Sequence, residues 1–253
     1  DQLRSKQPVR GVGEMACAND LWTARVYTIF PEMFPGPLKF SLAGAGLKRS
    51  IWTIETVDIR AHSGDKHRTV DGTPYGGGPG MVMRADVIDS ALAAANPRTQ
   101  PVYLTPRGRP LTQKDVRRLA AQEELNILCG RFEGVDERVL EARNFDQVCM
   151  GDFIMSGGEP AAIALIDACV RLLPGIMGNK DSVLEESFEG GLLEYPQYTR
   201  PEVWKGRRVP KHLLSGHHEK INEWRREAAA KTTREQRPDL WALNRDCNMA
   251  VKD

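Results

Sequence analysis

The chain has 253 residues, 41% hydrophobic and 27% charged; this supports one large domain, or a large and a small one, with a packed core, and excludes disorder as the default state. No apolar run approaches the roughly 20 residues that cross a bilayer, and no signal-peptide pattern opens the chain, so no membrane partner is expected. The formal charge of +1 argues against a uniformly basic nucleic-acid binder, but residues 205–237 hold ten Lys and Arg against four Glu, a basic module suited to an RNA or phosphate-rich partner.

Residues 1–23 are polar and aperiodic and are expected to be a leader or an appended extension outside the fold. The β-branched and aromatic run over 25–30 predicts a strand, a mixed helical stretch follows to about Lys48, and alternation over 51–59 predicts a second strand. Residues 60–83 read as one long polar loop, of the length that is usually functional or mobile. Its run Y-G-G-G-P-G-M (75–81) lacks the Gly-Lys-Ser/Thr ending of a phosphate-binding P-loop. A helix is expected over 85–95, a strand over 102–104, a strand-end loop over 105–108, and a helix over 111–122 with Thr112 as N-cap. Then come a central strand over 125–129, a short helix over 136–143, a strand over 145–150 and an apolar helix over 160–173. This alternation predicts a largely parallel α/β sheet. Pro174-Gly175 breaks the chain, the acidic, glycine-flanked run over 178–193 reads as an interdomain linker, and an amphipathic helix is expected at about 217–231.

Two stretches organise the rest: C-G-R-F-E-G-V-D-E-R (129–138) and G-D-F-I-M-S-G-G-E (151–159). Each follows a short apolar run and offers glycines, so backbone groups can approach a ligand with no side chain between. Side by side at the strand ends of an α/β sheet, two such loops would form a crevice for a nucleotide-like ligand, with Arg131 and Glu133 at its edge. No strand leads into a GxGxxG run, so a dinucleotide-dependent oxidoreductase is excluded. Cys17, Cys129, Cys149, Cys169 and Cys247 lack CxxC spacing and are expected to be reduced, mostly buried thiols of a cytoplasmic protein. No residues stand at metal-ligand spacing; His217-His218 lacks a third ligand.

The motifs I-F-P-E-M-F (29–34), H-R-T-V-D (67–71), P-Y-G-G-G-P-G-M (74–81), the two glycine runs above, Y-T-R-P-E-V (198–203) and L-L-S-G-H-H (213–218) occur in this order. Together they resemble the bacterial tRNA (guanine-37-N1) methyltransferases, the TrmD type of the SPOUT superfamily, from about Ala24 to at least Leu240. The resemblance implies a deep trefoil knot in the sheet, a rare exception to unknotted topology, and a small helical C-terminal domain. It implies S-adenosylmethionine (SAM) bound in the knot, a homodimer with active sites at the interface, and tRNA with guanosine 37 as partner. Mg2+ is suggested at family level only. The domains implied are 24–177 for SAM, 178–192 as linker and 193–253 for tRNA.

Carried onto this chain, the family's cofactor positions are Leu104, Pro106 and Gly108; Gly130, Glu133 and Gly134; Met150, Gly151, Asp152, Phe153, Ile154 and Met155; and Gly157 with Gly158. Glu133 could instead cap a nearby turn. The family's catalytic aspartate, followed by Ser-Phe, is replaced here by Glu186 in Glu185-Glu186-Ser187-Phe188, with Glu185 the competitor for the role of base. Arg171 matches the arginine expected to stabilise charge on guanine O6, and also suits the C-terminal end of a helix dipole. Candidate RNA contacts are His67, Arg68 and Asp71 in the polar loop, and Arg200, His212, Ser215, His217 and Arg225 in the C-terminal part. Phe132 and Phe153 stand where the family commonly has tyrosine, and Pro160-Ala161 where it has Leu-Pro. Two alternatives compete: a ribose 2′-O-methyltransferase of the same superfamily, which would need no guanine-specific base, and a noncatalytic RNA-binding module on the same fold.

Overall fold

The computed structural model describes residues 21–178, 187–188 and 191–250, with side chains as far as 244. The chain divides into two compact units, with the division between Met177 and Gly178.

In the first unit, β1 (Trp22–Thr28), α1 (Ser41–Lys48), β2 (Trp52–Asp58), β3 (Asp71–Gly72), β4 (Val82–Met83), α2 (Ala85–Ala95), β5 (Val102–Pro110), α3 (Gln113–Ala120), β6 (Glu124–Leu128), α4 (Glu137–Ala142), β7 (Asp146–Cys149) and α5 (Glu159–Val170) follow in order. Among the described residues the main sheet has five strands in the order β2-β1-β6-β5-β7, and every pairing in it is parallel. Helices cover both faces, as parallel strands require. On one, Ala43, Val116, Leu119 and the Ala161–Val170 stretch pack with Trp22, Trp52 and Ile127. On the other, Val87, Ile88, Leu92, Val139 and Leu140 pack with Tyr27, Met83 and Tyr103. The whole of β6 is buried, its polar Glu124 and Asn126 included, and both of these accept hydrogen bonds from Arg25, as buried polar groups must.

Strand β5 holds the main departure from expectation. Thr105–Gly108 were expected to be a loop, yet the strand continues to Pro110, and Leu104 and Arg109 both pair with Val148. Asp146 N–H donates to Pro101 O, and Leu111 N–H to Cys149 O, each at 2.9 Å. Three residues apart in an extended strand, Asp146 and Cys149 direct their backbone groups to opposite edges. The two halves of β5 therefore flank β7 on both edges, and residues 105–108 pass across it. At the crossing only a glycine fits, because a Cβ on Gly108 would stand 2.5 Å from Val148 N. Ion pairs fasten the crossing: Arg109 to Asp146 at 2.9 Å and to Asp115 at 2.8 Å, and Arg118 to Asp146 at 2.6 Å.

Other differences are smaller. β1 opens at Trp22, three residues earlier than the R-V-Y-T-I-F run, because Trp22 is buried and stacks edge-on against Trp52. The long polar loop is interrupted by the two-residue ladder of β3 with β4, too short to show periodicity. Thr112 caps α3 as read, in a reciprocal capping box with Asp115.

The second unit contains an antiparallel hairpin of β8 (Val203–Trp204) and β9 (Arg207–Arg208), then α6 (His218–Gln236) and α7 (Pro238–Ala250). α6 extends past the expected end near Lys231, and α7 was not foreseen. Leu193 N–H donates to the buried Thr233 Oγ1 at 2.8 Å, tying the start of this unit to α6. Among the described residues, no helix is long and apolar enough to cross a membrane.

Candidate functional site

The two glycine runs meet at the ends of β6 and β7, and a buried ion pair joins them. Glu159, the first residue of α5, is fully buried. Its Oε1 accepts from Thr28 Oγ1 at 2.7 Å and its Oε2 from Arg131 Nε at 2.8 Å. Arg131 also donates to Ser156 O at 3.2 Å and lies 4.6 Å from the centre of the Phe30 ring. A buried pair of this kind is held by its extra hydrogen bonds rather than by charge alone. Gly158 N–H then bonds Gly130 O at 2.9 Å, backbone to backbone. Side chains are excluded here by contact: a Cβ on Gly158 would be 2.9 Å from Cys129 Cα, and one on Gly157 would collide with the Arg131 guanidinium.

Beside this joint lies a cavity of about 280 Å³. Tyr103 and Leu104 of β5 form one wall, Gly130 to Gly134 a second, and Met150, Gly151 and Phe153 to Gly158 a third. Ala161 of α5 also lines it. Burial pushes the Tyr103 hydroxyl above its ordinary value, so it stays protonated against the backbone of Val135. Burial also holds the Cys129 thiol far above the usual range, so this cysteine is inert packing at the strand end. Glu133 is exposed at the rim; its N–H bonds Met81 O at 2.9 Å, and its carboxylate lies against Gly80.

Of the cofactor residues expected from the sequence, Leu104, Pro106, Gly130, Glu133, Gly134, Met150, Gly151, Phe153, Ile154, Met155, Gly157 and Gly158 line this cavity. Gly108 and Asp152 do not: Gly108 is occupied by the crossing over β7, and Asp152 is exposed. Arg171 is the half-buried C-cap of α5. Glu185 and Glu186 lie outside the described residues; of their neighbours, Ser187 Oγ accepts from Glu194 N–H at 3.0 Å.

His67 and Arg68 are exposed on a turn organised by Asp65. Desolvation opposes ionisation of that carboxyl, but hydrogen bonds from Ser63, Thr69 and the His67 amide pull it down to about 2. Asp71 pairs with Met83 in the β3–β4 ladder. In the second unit Arg200, His212, Ser215 and His217 are exposed, and Arg225 lies 4.9 Å over the Tyr195 ring. Tyr103, Ala161 and the Arg131–Glu159 partnership were not foreseen. Position at a strand end was the available signal for Tyr103; nothing local marks residues 131 and 159 as partners.

The profile of the family described as tRNA (Guanine-1)-methyltransferase TrmD matches residues 23–243. The chain belongs to this family. Among curated relatives, the tRNA (guanine-N(1)-)-methyltransferase of Rhodopseudomonas palustris is 58% identical over 223 residues, covering 87% of this chain and 88% of the relative. Those of Rhodospirillum rubrum and Gluconobacter oxydans are each 57% identical, covering 87% of this chain and 92% and 95% of the relatives. Membership in the TrmD family fits a parallel α/β unit whose cavity is walled by backbone, since such a site positions a ligand while supplying few reactive side chains.

Proposed function

We propose that this chain transfers the methyl group of SAM to N1 of guanosine 37 in tRNA. Methylation of guanine in tRNA is the activity of the family to which it belongs; the cofactor, the position and the roles of residues below are our reading. The observation that carries it is the glycine-walled cavity at the crossing of β5 and β7. The same crossing supports the deep trefoil knot.

The residues fit the cofactor. Tyr103, Leu104 and Ala161 offer an apolar slot for a flat base, bare backbone at Gly130 and at Gly157–Gly158 suits its polar edges and a ribose, and Glu133 stands at the rim. When bound, SAM supplies an already activated methyl carbon, so the protein has only position and charge to manage. The guanine N1 carries a proton and is a poor nucleophile until it leaves. Glu186 takes that proton, a role worth about 10²–10⁴-fold, and Arg171 stabilises the charge that grows on O6. Guanosine 37 is extruded from its loop to be methylated, with His67, Arg68 and Asp71, and Arg200, His212, Ser215, His217 and Arg225, as RNA contacts.

The division into a cofactor unit over 24–177, a linker over 178–192 and a tRNA unit over 193–253 belongs to this proposal, as does the homodimer. Exposed Phe153 and Ile154 at the cavity mouth support a covering partner subunit. A cytoplasmic location is supported by the free, buried Cys129, Cys149 and Cys169. Mg2+ enters from the family resemblance alone.

The test is transfer from labelled SAM to transcripts with guanosine or adenosine at position 37. Label is expected as N1-methylguanosine in the first transcript alone. Glu186→Gln should lower kcat by roughly 10²–10⁴-fold with SAM affinity unchanged by calorimetry. If Glu185→Gln is the dead variant instead, the base is Glu185; if wild type binds tRNA and transfers nothing, the methyltransferase reading fails.

A further inference from the structure

The β8–β9 hairpin places an aromatic residue where it covers no core. Val203 pairs with Arg208 and Trp204 with Arg207, so each pair shares one face of the ribbon. The linking residues Lys205 and Gly206 both have positive φ, 49° and 76°, the geometry of a tight two-residue hairpin turn. Lysine adopts that region rarely, and here it brings Nζ to 5.1 Å from the Trp204 ring centre. The indole is 56% exposed and Val203 42%. Arg200, Lys205, Arg207 and Arg208 supply four positive charges over 200–208, against Glu202, which stands 3.7 Å from Arg208.

We propose that this hairpin is a stacking platform for an unpaired nucleotide of RNA, with Trp204 against the base and Arg207 and Lys205 on the flanking phosphates. An indole beside guanidinium and ammonium groups is the combination that binds single-stranded nucleic acid: the ring accepts any base face and the cations follow the backbone. The cross-strand pairing fixes Arg207 beside the indole, so base and phosphate are met from one face. This deepens the tRNA reading above and rests on it: the nucleotide is one of the substrate's loop nucleotides other than the methylated one.

The test uses the full-length protein, since four other tryptophans accompany Trp204. The difference in fluorescence between wild type and Trp204→Phe isolates the Trp204 signal during titration with a tRNA transcript. That signal should be quenched as tRNA binds. Trp204→Ala should weaken tRNA binding roughly tenfold to a hundredfold, Trp204→Phe should recover most of it, and SAM affinity should be untouched in both. Arg207→Gln should reduce the salt dependence of log Kd by about one unit of slope. Wild-type tRNA affinity in Trp204→Ala overturns the platform, as does a Trp204 signal already shielded from acrylamide in the free protein, which would place a second copy of the chain on it. Quenching by tRNA in a protein that transfers no methyl group leaves the platform standing and sinks the methyltransferase reading instead. Absence of tRNA binding sinks both.

Discussion

The first unit has two glycine-rich regions, and the same residue serves different ends in them. In the exposed loop, Gly76, Gly77 and Gly78 have positive φ, and a Cβ on any of them would meet nothing within 4 Å. At the cavity and the crossing beside it, glycines face the opposite condition: added Cβ atoms would strike Val148 N at 2.5 Å from Gly108 at the crossing, and Tyr103 Oη at 2.8 Å from Gly130 and Cys129 Cα at 2.9 Å from Gly158 in the cavity. The loop uses glycine for conformation and the crevice uses it for space. A glycine count in the sequence cannot tell these apart; long-range packing does.

The largest effect is expected at the joint around which the crevice glycines pack. Glu159→Ala leaves the Arg131 guanidinium without its buried counter-charge, and should destabilise the protein by about 3–5 kcal/mol while raising the Kd for SAM. A denaturant titration alongside calorimetry checks both; an unchanged midpoint would mean the ion pair is incidental. Gly108→Ala comes next. Its new methyl meets backbone rather than a yielding side chain, so about 3 kcal/mol of overpacking strain is expected, a fall in Tm of roughly 6–12 °C. Gly130→Ala presses instead on the Tyr103 ring, which can shift. A loss of about 1 kcal/mol in stability is expected, with a larger proportional loss of SAM affinity because Tyr103 lines the cavity.

Legibility followed the same division between local and long-range causes. The strands of the parallel sheet announced themselves as short apolar or β-branched runs, or in β2 as alternation, and Thr112 announced α3 because a capping box is written within four residues. T-P-R-G-R-P at 105–110 reads as a turn by every local rule, and only β7, about 40 residues further on, makes it a strand that crosses a strand. Arg131 was visible as a charge at the crevice edge, but its partner 28 positions away was not. The hairpin at 203–208 carries no alternation long enough to register, and α7 opens on Pro238, a residue whose fixed φ suits a helix start but which marks one only when the turns after it are packed. Twelve of fourteen expected cofactor positions nonetheless reached one cavity, because ordered motifs carry long-range geometry that periodicity does not.

Gly77→Ala tests the open loop. With no atoms to displace, only the positive φ of 79° opposes it, a penalty of about 1 kcal/mol. A loss as large as that of Gly108→Ala would show the loop to be packed in solution, with its glycines serving space as those of the crevice do.

The smallest effect belongs to the carboxylate at the centre of the neighbouring turn. Asp65 accepts from the amides of His67 and Thr69 and the hydroxyls of Ser63 and Thr69. Its folded-state value of about 2 lies below the ordinary 3.8. A depressed carboxyl stabilises the turn above the ordinary value, and that stabilisation is lost as pH falls through the folded one. The Thr69 amide resonance should therefore titrate near pH 2 rather than near 4. Asp65→Asn should mimic the loss at neutral pH: faster amide exchange at His67 and Thr69, an unchanged Tm, and weaker tRNA binding if His67 and Arg68 touch phosphate. Because the turn is exposed and the crevice buried, SAM affinity should not move; if it does, the two regions are coupled and the glycine loop is more than conformational.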